Sequence, residues 1–166
     1  IGALKVNGSD TRCGVIFTTA LNGDKGCYML STYLSSHFES DIRYFSGEAP
    51  RDVRKANNGN TKIFDEEKKI TQRDFKENKY SLLAATKAFG MGINKGNIHY
   101  TIHYGIPSSI EALYQEAGRA GRDKTKFIDI KAKCYVLLTK SSQVDAMKKI
   151  WEPGSMINEL ENIKNK

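Results

Sequence analysis

The sequence predicts an α/β fold with a mostly parallel sheet flanked by helices. Two observations carry that prediction. Short apolar, β-branched runs recur along the chain, and stretches with helical spacing of apolar residues separate them. Strands that alternate with helices pack as layers around one sheet. Cys13 to Thr19 (CGVIFTT) is the first such run, bounded by polar residues, and reads as a buried strand. Asp24 to Phe38 follows, with Tyr28, Leu30, Tyr33, Leu34 and Phe38 near helical spacing. Ile42 to Phe45 is the second strand, closed by Ser46-Gly47. Ala49 to Lys55 starts a short helix with Pro50 in its first turn.

Ala56 to Ile70 breaks the pattern. Asn57-Asn58-Gly59-Asn60 is a turn signal, and the charged segment after it reads as an exposed, partly mobile polar insertion. A helix then covers Thr71 to Glu77, with Phe75 facing the core. Tyr80 to Thr86 and Ile98 to Tyr104 are the third and fourth strands. Ser108 to Ala120 is a helix that Ser108 or Ser109 can cap. Cys134 to Thr139 is the fifth strand, Ser141 to Trp151 a helix, and Met156 to Ile163 a further one. No internal repeat is visible.

The 166 residues suffice for one domain with a real core. Hydrophobic residues make up 39 % and charged residues 27 %, which excludes disorder, collagen and coiled coil. No run of about eighteen apolar residues occurs, which excludes a membrane-spanning helix. Lys and Arg number 26 against 19 Asp and Glu, a net charge of +7 that suits a polyanionic partner without demanding one. Cys13, Cys27 and Cys134 are too scattered for a disulfide framework or a metal site, and each lies among apolar residues. They read as small buried hydrophobes of a reduced, intracellular protein, cytoplasmic in a prokaryote or nuclear in a eukaryote. The three histidines form no ligand pattern, so no metal site is expected. The chain starts at Ile1 and reads as a piece of a longer protein.

In parallel sheets, ligands bind beyond the carboxyl ends of the strands. Two segments stand out against that rule. The first is Ala85-Thr86-Lys87-Ala88-Phe89-Gly90-Met91-Gly92-Ile93-Asn94, directly after a strand. Glycines two apart let backbone approach a phosphate, and Thr86 offers a hydroxyl and an amide. An ordinary strand-to-strand turn fits the glycines equally well. The second is Gln115-Glu116-Ala117-Gly118-Arg119-Ala120-Gly121-Arg122-Asp123, with two arginines three apart on one side of a helical turn. Arginine suits bidentate contact with phosphate. A solvated basic helix end is the competing reading.

Taken together and in this order, ATKAFGMGIN and YQEAGRAGRD resemble motifs V and VI of superfamily 2 helicases, most of all the RecQ family. Lys95, Ile106-Pro107 and Ile110-Glu111 complete the likeness over about forty residues. Gly14 to Thr19 is similar to motif IV, and Tyr44-Phe45-Ser46-Gly47 with Arg54 resembles the motif that follows it. The resemblance implies a RecA-like three-layer domain over 1–155, the second motor domain of a 3′-to-5′ DNA helicase, with 156–166 as a linker. ATP and Mg2+ are then bound mainly by the first RecA-like domain, since this chain has neither GxxxxGK[ST] nor DExH. The partners implied are that N-terminal domain and DNA, single-stranded or junction, held by its phosphate backbone.

On that resemblance Arg122 is the arginine finger to the γ-phosphate, and Arg119 supports it or couples to the partner domain. Gln115 positions the nucleotide, and Gly92 and Asn94 line the nucleotide side of motif V. Thr18, Thr19, Ser46, Gly47, Arg54 and Thr86 line the nucleic-acid track. Several features depart from the family pattern. Asn94 stands where many helicases have Asp, Glu48 replaces a small or apolar residue, Ala56 to Ile70 is extra, and the four cysteines of a following zinc domain are absent. An RNA helicase, another superfamily 2 translocase, or a non-catalytic binding module on a decayed helicase fold are the alternatives.

Overall fold

The computed structural model describes residues 4–90, 93–105 and 107–137. The helices expected over Ser141 to Trp151 and Met156 to Ile163 lie outside them. Five strands form one sheet: β1 (Cys13–Thr18), β2 (Ile42–Phe45), β3 (Leu82–Ala85), β4 (Ile98–Tyr104) and β5 (Lys133–Leu137). Their order is β2-β3-β1-β4-β5, and every pairing is parallel. The helices are α1 (Cys27–Phe38), α2 (Arg51–Ala56), α3 (Lys62–Lys76) and α4 (Ile110–Ala117). A 3-10 turn over Lys87–Gly90 follows β3.

The period of two along β1 divides the core. Cys13, Val15 and Phe17 point to one face with Leu83, Ala85, Phe75, Phe89 and Ile98. Ile16 points to the other with Ile42 and Leu82, covered by Leu30 and Leu34 of α1. Helices on both faces make three layers, the RecA-like arrangement. Phe89 is fully buried, and its ring meets Phe17, Phe45 and Phe75 edge-on at 6.1, 6.0 and 6.0 Å. The start of the glycine-bearing loop is therefore anchored in the core. Gly14 is required where β1 passes β4: an added Cβ would stand 2.1 Å from the Tyr100 ring.

Register aligns the strand ends. Phe17 pairs with Ala85 and with His103, and Phe45 with Ala85. Thr18, Ser46 and Thr86, one residue further on, therefore emerge side by side at the carboxyl edge.

Three expectations need correction. The polar stretch 56–70 is not all loop, because α3 begins at Lys62 rather than Thr71. Phe64, Thr71 and Phe75 recur at helical spacing, and Phe64 is buried under the Lys68 ammonium, 5.3 Å from the ring centroid. Abundant surface charge hid that narrow apolar stripe; the Asn58-Gly59 turn itself is present, both at positive φ. Cys134 is exposed, unlike Cys13 and Cys27. It lies on β5, an edge strand exposed at all five residues among the described ones, and an apolar run does not tell an edge strand from a central one. Finally, α4 ends at Ala117, so Arg119 and Arg122 lie in the turn after it and not on the helix.

At the sheet's other end, Asp74 accepts from Lys79, Arg43 and Arg73 at 2.9, 2.9 and 3.0 Å. Lys79, then Arg43 and Arg73, hold its carboxyl well below the usual carboxylate range. Lys95 is buried nearby: its Nζ donates to the Lys76 carbonyl at 3.3 Å and to Asn78 Oδ1, over the Phe75 ring. Burial pushes its pKa down. It fastens the loop after Phe89 to the end of α3.

Candidate functional site

The carboxyl ends of the strands open into a cleft of about 450 Å³. Thr18, Thr19, Ser46, Gly47 and Thr86 all line it, so five of the six residues expected on the nucleic-acid track converge there. Their hydroxyls differ in what they can offer. Thr18 donates to the Ala20 carbonyl at 2.7 Å, and Ser46 donates to the Glu48 carbonyl at 2.6 Å. Both are buried, so they shape their turns. The Thr86 hydroxyl instead accepts from Ala88 N–H at 3.4 Å, which leaves its O–H without an acceptor among the described residues. The Thr86 amide, expected to face a phosphate, donates to Phe45 O at 3.1 Å and joins the ends of β3 and β2. Gly47 lies against Ala88, where an added Cβ would meet the Ala88 methyl at 3.4 Å.

Arg54 does not line the cleft. Its guanidinium reaches Glu48 at 3.4 Å and the Ala49 carbonyl at 3.3 Å. Glu48 does line it, as does Lys87. The lining thus joins hydroxyls, the Lys87 ammonium, the His103 imidazole and two carboxylates, Glu116 and the Glu48 that engages the expected backbone contact. Neutral donors and a single cation suit sugar-phosphate contact without base readout.

The second group lies in the turn after α4. Ser109 caps this helix by accepting from Ala112 N–H at 3.1 Å. The chain then turns back onto β4: Gly121, at φ +71°, donates its N–H to Ile98 O at 2.9 Å. Gly96 packs so tightly on Asp123 that a Cβ there would come within 2.8 Å of the Asp123 Cβ. The second segment therefore packs against Gly96 and Ile98, just past the end of the first. Arg122 is exposed, and its Nε donates to Gly118 O at 3.0 Å. Arg119 is partly buried, and its Nε has no partner among the described residues. Burial, then the neighbouring Arg122 charge, lowers the Arg119 pKa. Neither arginine meets a carboxylate among the described residues. Gln115 is exposed and donates to Glu111 at 3.0 Å; Asn94 is exposed; Gly92 lies outside the described residues.

Sequence reasoning missed one pair. His103 on β4 is 1 % exposed, and its Nδ1 lies 3.0 Å from Glu116 Oε2 on α4. Both line the cleft. The signal was available: His103 falls on the same strand face as Thr101, one residue from the carboxyl end of β4, and Glu116 sits inside the second motif. Among the described residues, no group of three or more His, Cys, Asp or Glu could hold a metal ion. Beside the carboxylates Glu48 and Glu116, the cleft and the turn offer one ammonium, two guanidiniums and hydroxyls, groups whose chemistry suits phosphate oxygens.

Comparison with known proteins decides the family. The family model described as "Helicase conserved C-terminal domain" matches residues 14–124, more than half of the chain. The chain belongs to that family. Within it the lobe is RecQ-like. It is 54 % identical to the ATP-dependent DNA helicase RecQ of Haemophilus influenzae over 52 residues, 31 % of this chain and 8 % of that protein. It is 32 % identical to the rat ATP-dependent DNA helicase Q5 over 123 residues, 74 % of this chain and 11 % of that protein. A mimivirus protein named as an ATP-dependent RNA helicase, R290, is 53 % identical over 64 residues, 39 % of this chain and 12 % of that protein. The chain thus spans only a small part of these relatives' length. The fold of the helicase lobe is shared with domain 2 of the DEAD-box helicase Mss116p, solved with an RNA duplex. The TM-score is 0.57 and the identity 17 %, over 87 % of this chain and 49 % of that one. The C-terminal domain of the DEAD-box protein Dbp5 matches with TM-score 0.53 and 18 % identity, over 93 % of this chain and 76 % of that one.

Proposed function

We propose that this chain is the C-terminal motor lobe of an ATP-dependent DNA helicase that unwinds in the 3′-to-5′ direction. The observation that carries the reading is the turn after α4. Two guanidiniums stand there without an acidic partner among the described residues, in a turn that Gly121 ties to Ile98 at the start of β4. A cation pair held in that way is built for an anion supplied from outside the lobe. Arg122 reaches the γ-phosphate of ATP bound by a first RecA-like domain, and Arg119 supports it. An arginine in that role is worth roughly three to five orders of magnitude in turnover. Gln115, Gly92 and Asn94 complete the nucleotide side. Mg2+, held by acidic residues of the first domain, would offset phosphate charge there; this chain supplies the arginines.

The cleft forms the nucleic-acid side. Thr86 donates its hydroxyl to a backbone phosphate, Lys87 adds charge, and Thr18, Ser46 and Gly47 hold the turns that border it. Thr19 lies at its open side, and Arg54 joins once a phosphate draws it from Glu48. Such contacts carry no sequence preference and weaken with salt, by about 0.7 in the log-log slope for each phosphate of a single strand. Domain closure on ATP and reopening after hydrolysis then move one strand past the motor.

The test is unwinding by the full-length protein of duplexes with a 3′ or a 5′ tail, in DNA and in RNA. ATP-dependent opening of the 3′-tailed DNA alone is the expected result. Opening of the RNA duplex in preference would move the lobe to the RNA-helicase reading, which its likeness to R290 favours. Strand binding without ATP turnover would support a non-catalytic module.

A further inference from the structure

The His103–Glu116 pair joins the two halves of this site. The His103 ring stacks on Phe17 at 5.4 Å and 17°, at the carboxyl end of β1 that runs into Thr18. Its Nδ1–H donates to Glu116 Oε2 in the arrangement that leaves the carboxylate charged. The Glu116 carbonyl in turn accepts Arg119 N–H at 3.1 Å, and Gly118, two residues on, accepts from Arg122 Nε. The contacts therefore run unbroken from the floor of the cleft through one carboxylate to the backbone that presents both arginines.

Packing alone does not account for an imidazole at this position. A phenyl ring would stack on Phe17 equally well and leave no polar atom behind. Instead His103 Nε2 is buried without a partner among the described residues, as is Thr101 Oγ1 two positions earlier on the same strand face. Buried polar atoms are nearly always paired, and exceptions call for a role.

We propose that His103 and Glu116 are positioning residues that tie the strand-binding cleft to the arginine turn. A strand seated on Thr86 and the neighbouring turns shifts the β4 end carrying His103, and Glu116 carries that shift to Arg119 and Arg122. This deepens the reading of the lobe given above and rests on it. Contiguous contacts are a spatial argument, and the energetic link is what a double-mutant cycle measures.

The experiment compares strand-stimulated with unstimulated ATP turnover, at saturating single-stranded DNA, in the full-length protein. Its variants are His103→Phe, Glu116→Ala, the double variant and Glu116→Gln. His103→Phe and Glu116→Ala are each expected to lower the stimulation ratio about ten-fold. The double variant should fall no further. Glu116→Gln, whose amide oxygen still accepts from Nδ1–H, should stay within about three-fold of the native ratio. Full stimulation in both single variants overturns the proposal, as do multiplicative losses in the double. A pair that only stabilises the fold would lower the melting temperature and leave the ratio intact, which overturns it as well. No stimulation in the native protein overturns both this pair and the reading of the lobe. Stimulation in the native protein that survives the single variants overturns the pair alone.

Discussion

The cleft and the arginine turn handle polar groups in opposite ways. In the cleft, Thr18 and Ser46 hydroxyls and the Thr86 amide bond to nearby carbonyls, and one carboxylate, Glu48, holds the nearest arginine. In the turn, Arg119 and Arg122 have no acidic partner among the described residues, and burial with like charge lowers the Arg119 pKa. Most polar groups of the cleft are thus paired within the chain, and among the described residues the Thr86 O–H and His103 Nε2 are left over. The turn is held in shape by Gly121 and Ile98 but is electrostatically unfinished. On the proposed function, the cleft holds a strand with hydroxyls that are mostly already paired, while the turn keeps its charge for a phosphate group.

Arg122→Ala breaks this contrast most severely. Turnover in the full-length protein should fall about a thousand-fold or more, with ATP binding retained in a fluorescent-nucleotide titration. Phe89→Ala removes the ring that three other aromatic rings surround. It should cost about 3–5 kcal/mol in urea unfolding, because the cavity cannot collapse around fixed strands. Ser46→Ala and Thr86→Val sharpen the comparison inside the cleft. Ser46→Ala should destabilise by about 1 kcal/mol, while Thr86→Val should weaken single-strand binding several-fold with little change in the melting temperature. The smallest effect is that of Glu48→Gln. It frees Arg54 from an exposed pair worth about 0.2–1 kcal/mol and should tighten strand binding up to a few-fold.

Away from both regions, Asp74 sets a pH dependence. Its carboxyl titrates lower in the folded chain than in the unfolded one. The stability it contributes is therefore full above about pH 4 and is lost as the pH falls toward the depressed folded value. Urea midpoints of the native protein should drop more steeply below pH 4 than those of Asp74→Asn.

Much of this was legible in the residues. β2 and β4 lie at Ile42–Phe45 and Ile98–Tyr104 as the sequence predicts, because their apolar core positions, Ile42, Phe45 and Ile98, fall in runs bounded by turn and polar residues. Each motif alone had an ordinary competing reading, and the two stood out because they occur together and in that order. Legibility ended where tertiary context decides. α3 was hidden because only Phe64, Asp74 and Phe75 of its fifteen residues are buried, and one of those three is itself charged. Cys134 looked internal because the sequence does not reveal which strand lies at the edge. The Thr86 amide was assigned to a phosphate before β2 was known to lie beside it. His103 and Glu116 are thirteen residues apart, and only the packing of α4 over β4 brings them together.

The central claim is that this lobe carries the arginines of an ATP site and not the groups that bind and activate the nucleotide. The most direct test is ATP turnover by the 166-residue chain alone, once circular dichroism and a cooperative melt show it folded. The account predicts no turnover above the protein-free blank, with or without single-stranded DNA. Sustained turnover that Arg122→Ala abolishes would mean the chain holds a whole site and would contradict it.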